Sequence, residues 1–381
     1  MTEQTFRVGP IRPPSEAGSL LIQVTRGCTW NKCRFCGLYK DNTFRAYSVE
    51  SIKNDIDVIA DYVERIKPYI DNQGRWDRLG LKGEINKLSP TERESFYVVL
   101  NWLMHGGENV FLQDGNSLAL KTDRVVEVLQ YLRKRLPWIK RITSYARAET
   151  LSRISAEDYK RLKEAGLDRI HSGFESGSDE VLELINKGVT SEQEIIAGKN
   201  IKESGIEFSV YFMPGVGGKD LSYKNAIETA RVVKEIDPDY VRIRTAVIKT
   251  DTELWEYVES GIFKLCSENE KLNEIRILIE KTKGCSGILT SDHVVNLLQG
   301  LNGRLKEDNE RMLNAIDEYF NLPESEQKIF QLARRKLMVT FVKDLKMLSE
   351  FQREKLEEIT RRITDEDKWN RMLNELLMQY I

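Results

Sequence analysis

Six short runs rich in β-branched and aromatic residues, at 20–25, 109–113, 141–145, 169–174, 206–212 and 240–248, recur along this chain. Between them, apolar residues fall three and four apart at 48–66, 92–104, 123–136, 156–164, 178–185 with 192–203, and 222–235. That alternation of periods predicts strands separated by helices, the connection that parallel neighbours require. The punctuation agrees: Thr122-Asp123, Ser155 and Ser222 stand where helices would begin, and Ala165-Gly166 and Ser204-Gly205 where two would end. Six βα units with right-handed connections curl into a partial (β/α)6 barrel, since a closed one needs two more strands. The expected fold class is α/β, with the barrel over 18–250 following an N-terminal extension, 1–17.

Residues 251–381 read as a charged, mostly helical region. Helices are expected at 272–281, 294–301, 307–319, 324–343 and 355–362, with a turn at Pro323 and one strand or hairpin near 286–291. The connection 37–108 is long for a single βα unit; its Gly-punctuated stretch 71–85, around Trp76, reads as a lid or an extra packing element.

A net charge of −2 over 381 residues gives no basic field for nucleic acid or an anionic membrane, so small molecules or proteins are the expected partners. Five cysteines do not make a disulfide framework in a chain this long. The start, MTEQTFRVGP, lacks the apolar core of a signal peptide, and no apolar run reaches bilayer-spanning length. A soluble cytoplasmic protein is expected.

Directly after the first strand run comes Gly27-CTWNKCRFC-Gly37, which gathers Cys28, Cys33 and Cys36. Three clustered thiolates can hold three corners of a [4Fe–4S] cluster and leave one iron open to an exogenous ligand. Structural zinc is the rival reading, but it wants a fourth protein ligand, and His105, His171 and His293 all lie far from Cys36 in sequence. Cys266 and Cys285 are too few for an auxiliary cluster.

Loops leaving the C-terminal strand ends of a parallel barrel meet on one face. Here those loops carry the cysteine run, Asp114-Gly115-Asn116, Arg147 with Glu149, Glu175-Ser176-Gly177, and Pro214 through Gly218. Arg242 and Arg244, two apart, share a face of the sixth strand and either line the barrel interior or pair with buried acids. His293 is a satisfied structural histidine or, functionally, a proton donor at the cluster face.

The cysteine loop, the turn after strand two, Gly173-Phe174-Glu175-Ser176-Gly177 and Met213-Pro214-Gly215 resemble, in this order, the four signatures of the radical S-adenosylmethionine (radical SAM) superfamily. The resemblance covers about residues 18–250. It implies a [4Fe–4S] cluster on Cys28, Cys33 and Cys36, with S-adenosylmethionine on the open iron. Reductive cleavage of that cofactor would give a 5′-deoxyadenosyl radical, which abstracts hydrogen from a substrate. It also implies cofactor contacts: Phe35 near the adenine with Tyr39 extending the wall, and Asp114, Gly115 and Asn116 at the methionine amino group. Arg147 would face the carboxylate, with Arg244 also in the cofactor set; Glu175 and Ser176 would face the ribose or the methionine end. Met213, Pro214 and Gly215 would line the adenine through backbone groups. Two departures stand out: four residues, Thr29 to Lys32, separate the first two cysteines where three are commonest, and Asp-Gly-Asn replaces Gly-Gly-Glu. The implied partners are an unidentified small-molecule substrate and an electron donor such as flavodoxin or ferredoxin. No cobalamin-binding segment is evident ahead of the barrel, so cobalamin-dependent methyl transfer is not expected. The alternative class is a non-catalytic iron–sulfur protein for electron transfer or redox sensing.

Overall fold

The computed structural model describes residues 4–9, 13–71 and 73–380, so the expected extension 1–17 lies partly outside the described residues, as do Asn72 and Ile381. The main sheet has eight strands: β1 (Leu20–Gln23), β2 (Asn109–Gln113), β3 (Arg141–Tyr145), β4 (Arg169–Glu175), β5 (Glu207–Phe212), β6 (Tyr240–Ile243), β7 (Ile288–Thr290) and β8 (Gly303–Arg304). Their order in the sheet is their order in the chain. β1–β2, β2–β3, β3–β4, β5–β6 and β6–β7 pair in parallel, and β8 closes the series antiparallel to β7. The α/β class and the six expected parallel strands are present.

The chain forms two compact units. One comprises Met1–Thr29, Asp41–His171 and Glu203–Glu207; the other comprises Trp30–Lys40, Ser172–Lys202 and Phe208–Ile381. In the first, register aligns Leu20 with Val110 and Val110 with Ile142, while one residue along it aligns Leu21 with Phe111, Phe111 with Thr143 and Thr143 with Arg169. Side chains alternate across a pleated strand, so the first row builds an aliphatic face and the second a more polar one. Helix Val49–Ile66, capped by Ser48, buries Ile52, Ile56, Ile59, Val63 and Ile66. Helix Pro90–Met104 starts at a Ser89–Glu92 capping box and meets it through an edge-on Tyr62–Phe96 contact. Within 71–85, Asp77 caps a short helix, Arg78–Ile85.

The second unit repeats the pattern: Val210, Val241 and Leu289 share one row, and Tyr211, Arg242 and Thr290 the next. Helices Gly218–Ile236 and Glu268–Lys281 pack together, and the chain continues through Asn309–Phe320, Glu324–Arg335, Glu350–Arg362 and Glu366–Met378.

Three expectations are corrected here. Residues 294–301 are irregular, because side chains from elsewhere take their backbone hydrogen bonds, as shown below. The helix expected over 324–343 stops at Arg335. Leu337 adopts φ +55°, and the Leu337 and Met338 N–H groups donate to the Arg334 and Ala333 carbonyls, a left-handed helix stop made without glycine. Finally, β6 ends at Ile243, so Arg244 lies beyond the strand and is exposed, whereas Arg242 is buried.

Candidate functional site

In the first unit, the β2 turn holds the start of the cysteine loop. The Asp114 carboxylate accepts from the Gly27 N–H at 3.2 Å, just before Cys28. The Asn116 amide donates to Thr29 Oγ1, just after it, and to Thr150 Oγ1, both at 2.8 Å. Asn116 Oδ1 accepts the Arg147 N–H at 3.2 Å, so one side chain ties together the loops after β1, β2 and β3. Gly27, at φ +82°, makes the bend that lets these bonds close. Arg147 is buried, with Glu149 3.7 Å away.

In the second unit, the rest of the loop docks on the end of helix Asp179–Leu184. Asn186, at φ +49°, ends that helix with a Lys187 N–H bond to the Leu182 carbonyl. Its carbonyl receives Trp30 Nε1 at 2.7 Å, and its side chain donates to the Lys32 carbonyl at 3.0 Å. Arg34 reaches Glu253 Oε1 and the Leu184 carbonyl, each at 2.7 Å. Phe35 packs on the cluster formed by Val181, Ile185, Val216, Ala246, Ile248, Leu254 and Phe263. Tyr39 is buried.

The same helix stop turns Lys187 back over Phe35, 5.6 Å from its ring centroid, and onto Glu175 at 2.8 Å. Glu175 has left-handed φ (+67°) at the end of β4, a strained conformation of the kind that collects at functional sites. Ser176 Oγ accepts the Ser178 N–H, and Gly177 meets helix Gly218–Ile236 so closely that a Cβ would fall 2.7 Å from Thr229 Cα. Nearby Glu194 is fully buried with neither oxygen hydrogen-bonded; burial drives its pKa well above the carboxylate range.

Glu274, in helix Glu268–Lys281, was missed by sequence reasoning. Its carboxylate accepts the Gly215 N–H at 3.1 Å, Asn225 Nδ2 at 2.6 Å and Ser222 Oγ at 2.6 Å, pinning the turn after β5. Burial outweighs those bonds and raises its pKa to about 7. No sequence signal marks it, because its partners lie about fifty residues upstream. Met213 and Pro214 are tied in the same turn through their carbonyls, to Asn225 Nδ2 and the Ala246 N–H.

Cys28, Cys33 and Cys36 are half-buried, whereas Cys266 and Cys285 are buried; all five lie outside disulfides. Burial pushes the Cys266 thiol up and Cys285 to about 11, keeping both protonated. Among the described residues no three His, Cys, Asp or Glu side chains are grouped as a metal site. The fit of the loop to a cluster therefore rests on its donors: three accessible thiols on backbone without helix or strand.

Residues 82–233, which begin after the cysteine loop, match the radical SAM superfamily. Among curated proteins the chain is 35% identical over 98 residues to an uncharacterized methyltransferase of Pyrococcus horikoshii, covering 26% of this chain and 21% of that one. It is 29% identical over 202 residues to 4′-phospho-dehydrooxetanocin synthase of Priestia megaterium, covering 51% and 23%. It is 21% identical over 176 residues to the heme chaperone HemW of Bacillus subtilis, covering 46% of each. The chain spans less than half the length of these relatives. Among solved structures it is similar to the cobalamin-dependent S-adenosylmethionine radical enzyme OxsB (TM-score 0.46, 16% identity, 95% of this chain and 54% of that one). It is also similar to coproporphyrinogen III oxidase, HemN, of Escherichia coli (TM-score 0.41, 16% identity, 69% and 51%). Radical SAM enzymes use a [4Fe–4S] cluster and S-adenosylmethionine. Among the described residues, no helix is long and apolar enough to cross a membrane.

Proposed function

We propose that this protein is a radical SAM enzyme whose Cys28, Cys33 and Cys36 hold one [4Fe–4S] cluster and which acts on a small-molecule substrate, with electrons from a flavodoxin- or ferredoxin-type donor. The observation that carries the reading is the bracketing of Cys28 by Asp114 and Asn116, two residues of the stretch that matches the radical SAM superfamily, which hold the backbone on either side of the loop's first thiol at the end of β1. When bound, a cluster on these thiolates would supply the electron for reductive cleavage of S-adenosylmethionine to methionine and the 5′-deoxyadenosyl radical. The chain's own part is positioning and exclusion of water. Phe35 offers an apolar wall, and the Met213–Gly215 turn, held by Glu274, offers backbone groups for the adenine. Glu175 presents a carboxylate for the ribose hydroxyls, its charge balanced by Lys187. Arg147 is the guanidinium for the methionine carboxylate. Gly115 sits between two side chains already committed to the cysteine loop, which leaves backbone groups of that turn for the methionine ammonium.

The test is anaerobic reconstitution with iron and sulfide, reduction in the presence of S-adenosylmethionine, and a search for 5′-deoxyadenosine. The wild type should yield it by slow uncoupled cleavage, and Cys33→Ala should not. A brown protein whose cluster EPR signal is unchanged by S-adenosylmethionine would instead be an electron carrier or redox sensor, and a colourless zinc protein would sink both readings.

A further inference from the structure

The irregular segment after β7 is held by an unusual concentration of buried polar groups. Asn296 is fully buried; its Oδ1 accepts the Thr245 N–H at 2.9 Å and Thr245 Oγ1 at 3.0 Å, and its Nδ2 donates to the Ile243 carbonyl at 2.8 Å and Ser291 Oγ at 3.1 Å. It thus grips the chain on both sides of Arg244. Arg334 donates to the Val294 carbonyl at 3.1 Å, and Arg335 to the Val295 carbonyl at 3.0 Å. Arg335 is at the same time paired with the buried Glu268 carboxylate, so this segment is fastened to a buried ion pair rather than to an uncompensated charge. What the segment presents is Asp292 and His293.

Beside it stands Arg242, on the polar row of β6, with a side chain only 8% exposed. Its neighbours are neutral: Ser209 Oγ at 3.0 Å, Thr290 Oγ1 at 3.4 Å and the Tyr240 ring at 5.2 Å. The carboxylate facing it, Asp292, is half in solvent and 3.7 Å away, beyond hydrogen-bond length. A buried cation so weakly compensated is poised for an anion. His293 senses the neighbouring Arg244. Its Nδ1 accepts the Val295 N–H at 3.3 Å, which puts the imidazole proton on Nε2 as a donor. Burial and the Arg244 charge hold its pKa at about 4 against the opposing pull of Asp292, so it is neutral at physiological pH.

We infer that Arg242, Arg244 and His293 form a recognition site for an oxyanion, a phosphate or carboxylate, carried by the substrate. Calling the ligand substrate rests on the radical SAM reading; anion binding itself does not. Planar guanidinium groups match either oxyanion, and a neutral N–H donor adds direction without adding charge.

The test follows the His293 ring resonance by NMR in the full-length chain, assigned among the three histidines with His293→Gln. Inorganic phosphate, acetate and S-adenosylmethionine are each added alone at constant ionic strength. Phosphate or acetate should raise the His293 titration midpoint by about one pH unit, and the stronger of the two identifies the oxyanion. Arg242→Gln should weaken that anion at least tenfold. Arg244→Gln, at an exposed position that folding tolerates, should raise the midpoint without any anion and weaken binding as well. A midpoint unmoved by either anion, or arginine variants that bind like the wild type, overturns the site. A full shift with S-adenosylmethionine alone would assign the oxyanion to the methionine carboxylate and overturn the substrate reading. No cluster is needed, so failure here is distinct from failure to make 5′-deoxyadenosine.

Discussion

Single buried charges decide much of how this site is held. Glu274 has a folded pKa raised from 4.5 to about 7, so its proton stabilises the fold fully below pH 4.5, and that stability is lost as pH rises to about 7. A shift of this size corresponds to roughly 3 kcal/mol. Chemical denaturation from pH 4 to 8 should show the wild type losing about that much relative to Glu274→Gln, which keeps an acceptor for Gly215 but cannot ionise. Equal pH slopes for the two proteins would remove the claim. Glu175 and Lys187 are a pair of the opposite kind, both buried and in direct contact. Lys187→Met leaves a carboxylate uncompensated and should cost about 3 kcal/mol or more of unfolding free energy, whereas Glu175→Gln together with Lys187→Met should recover part of it.

Among elements, the most informative are those whose ends no breaker announces. Nothing from Glu324 to Lys343 is glycine or proline, yet the helix closes at Arg335 because Arg334 and Arg335 are drawn to the Val294 and Val295 carbonyls and Leu337 accepts φ +55°. A non-glycine residue in that conformation costs about 1 kcal/mol, so Leu337→Gly should stabilise the protein by about that amount in thermal or denaturant unfolding. Leu337 is largely exposed, so little packing is lost. The apolar spacing of Val294, Val295, Leu297, Leu298 and Leu301 imitates a helix for a related reason: those side chains are mostly buried, but backbone carbonyls of the segment are served by Arg334 and Arg335. Asn296→Ala should therefore cost about 2 kcal/mol or more, since it orphans groups on both sides of Arg244.

For the whole molecule, the cysteine loop begins in one compact unit and ends in the other. Loading a cluster adds a ligand that binds the folded chain through three residues of that loop, and so should raise the thermal midpoint of the anaerobic protein. Cys33→Ala should show no such rise; an equal rise in the variant would detach the cluster from this loop.

Strand positions and the loops bearing Asp114, Arg147, Glu175 and Gly215 were legible in the sequence, because period two and turn chemistry are local properties that a few neighbouring residues fix. The spacing of Cys28, Cys33 and Cys36 was legible for the same reason. Tertiary structure alone decided what those residues touch. It turned Asp114 and Asn116 onto the cysteine loop, brought Glu274 to Gly215, and left Arg244 exposed beyond the end of β6 while Arg242 stays buried. Each of those outcomes depends on hydrogen-bond partners from segments distant in the chain, and the demand of buried polar groups for such partners overrides local periodicity wherever the two compete.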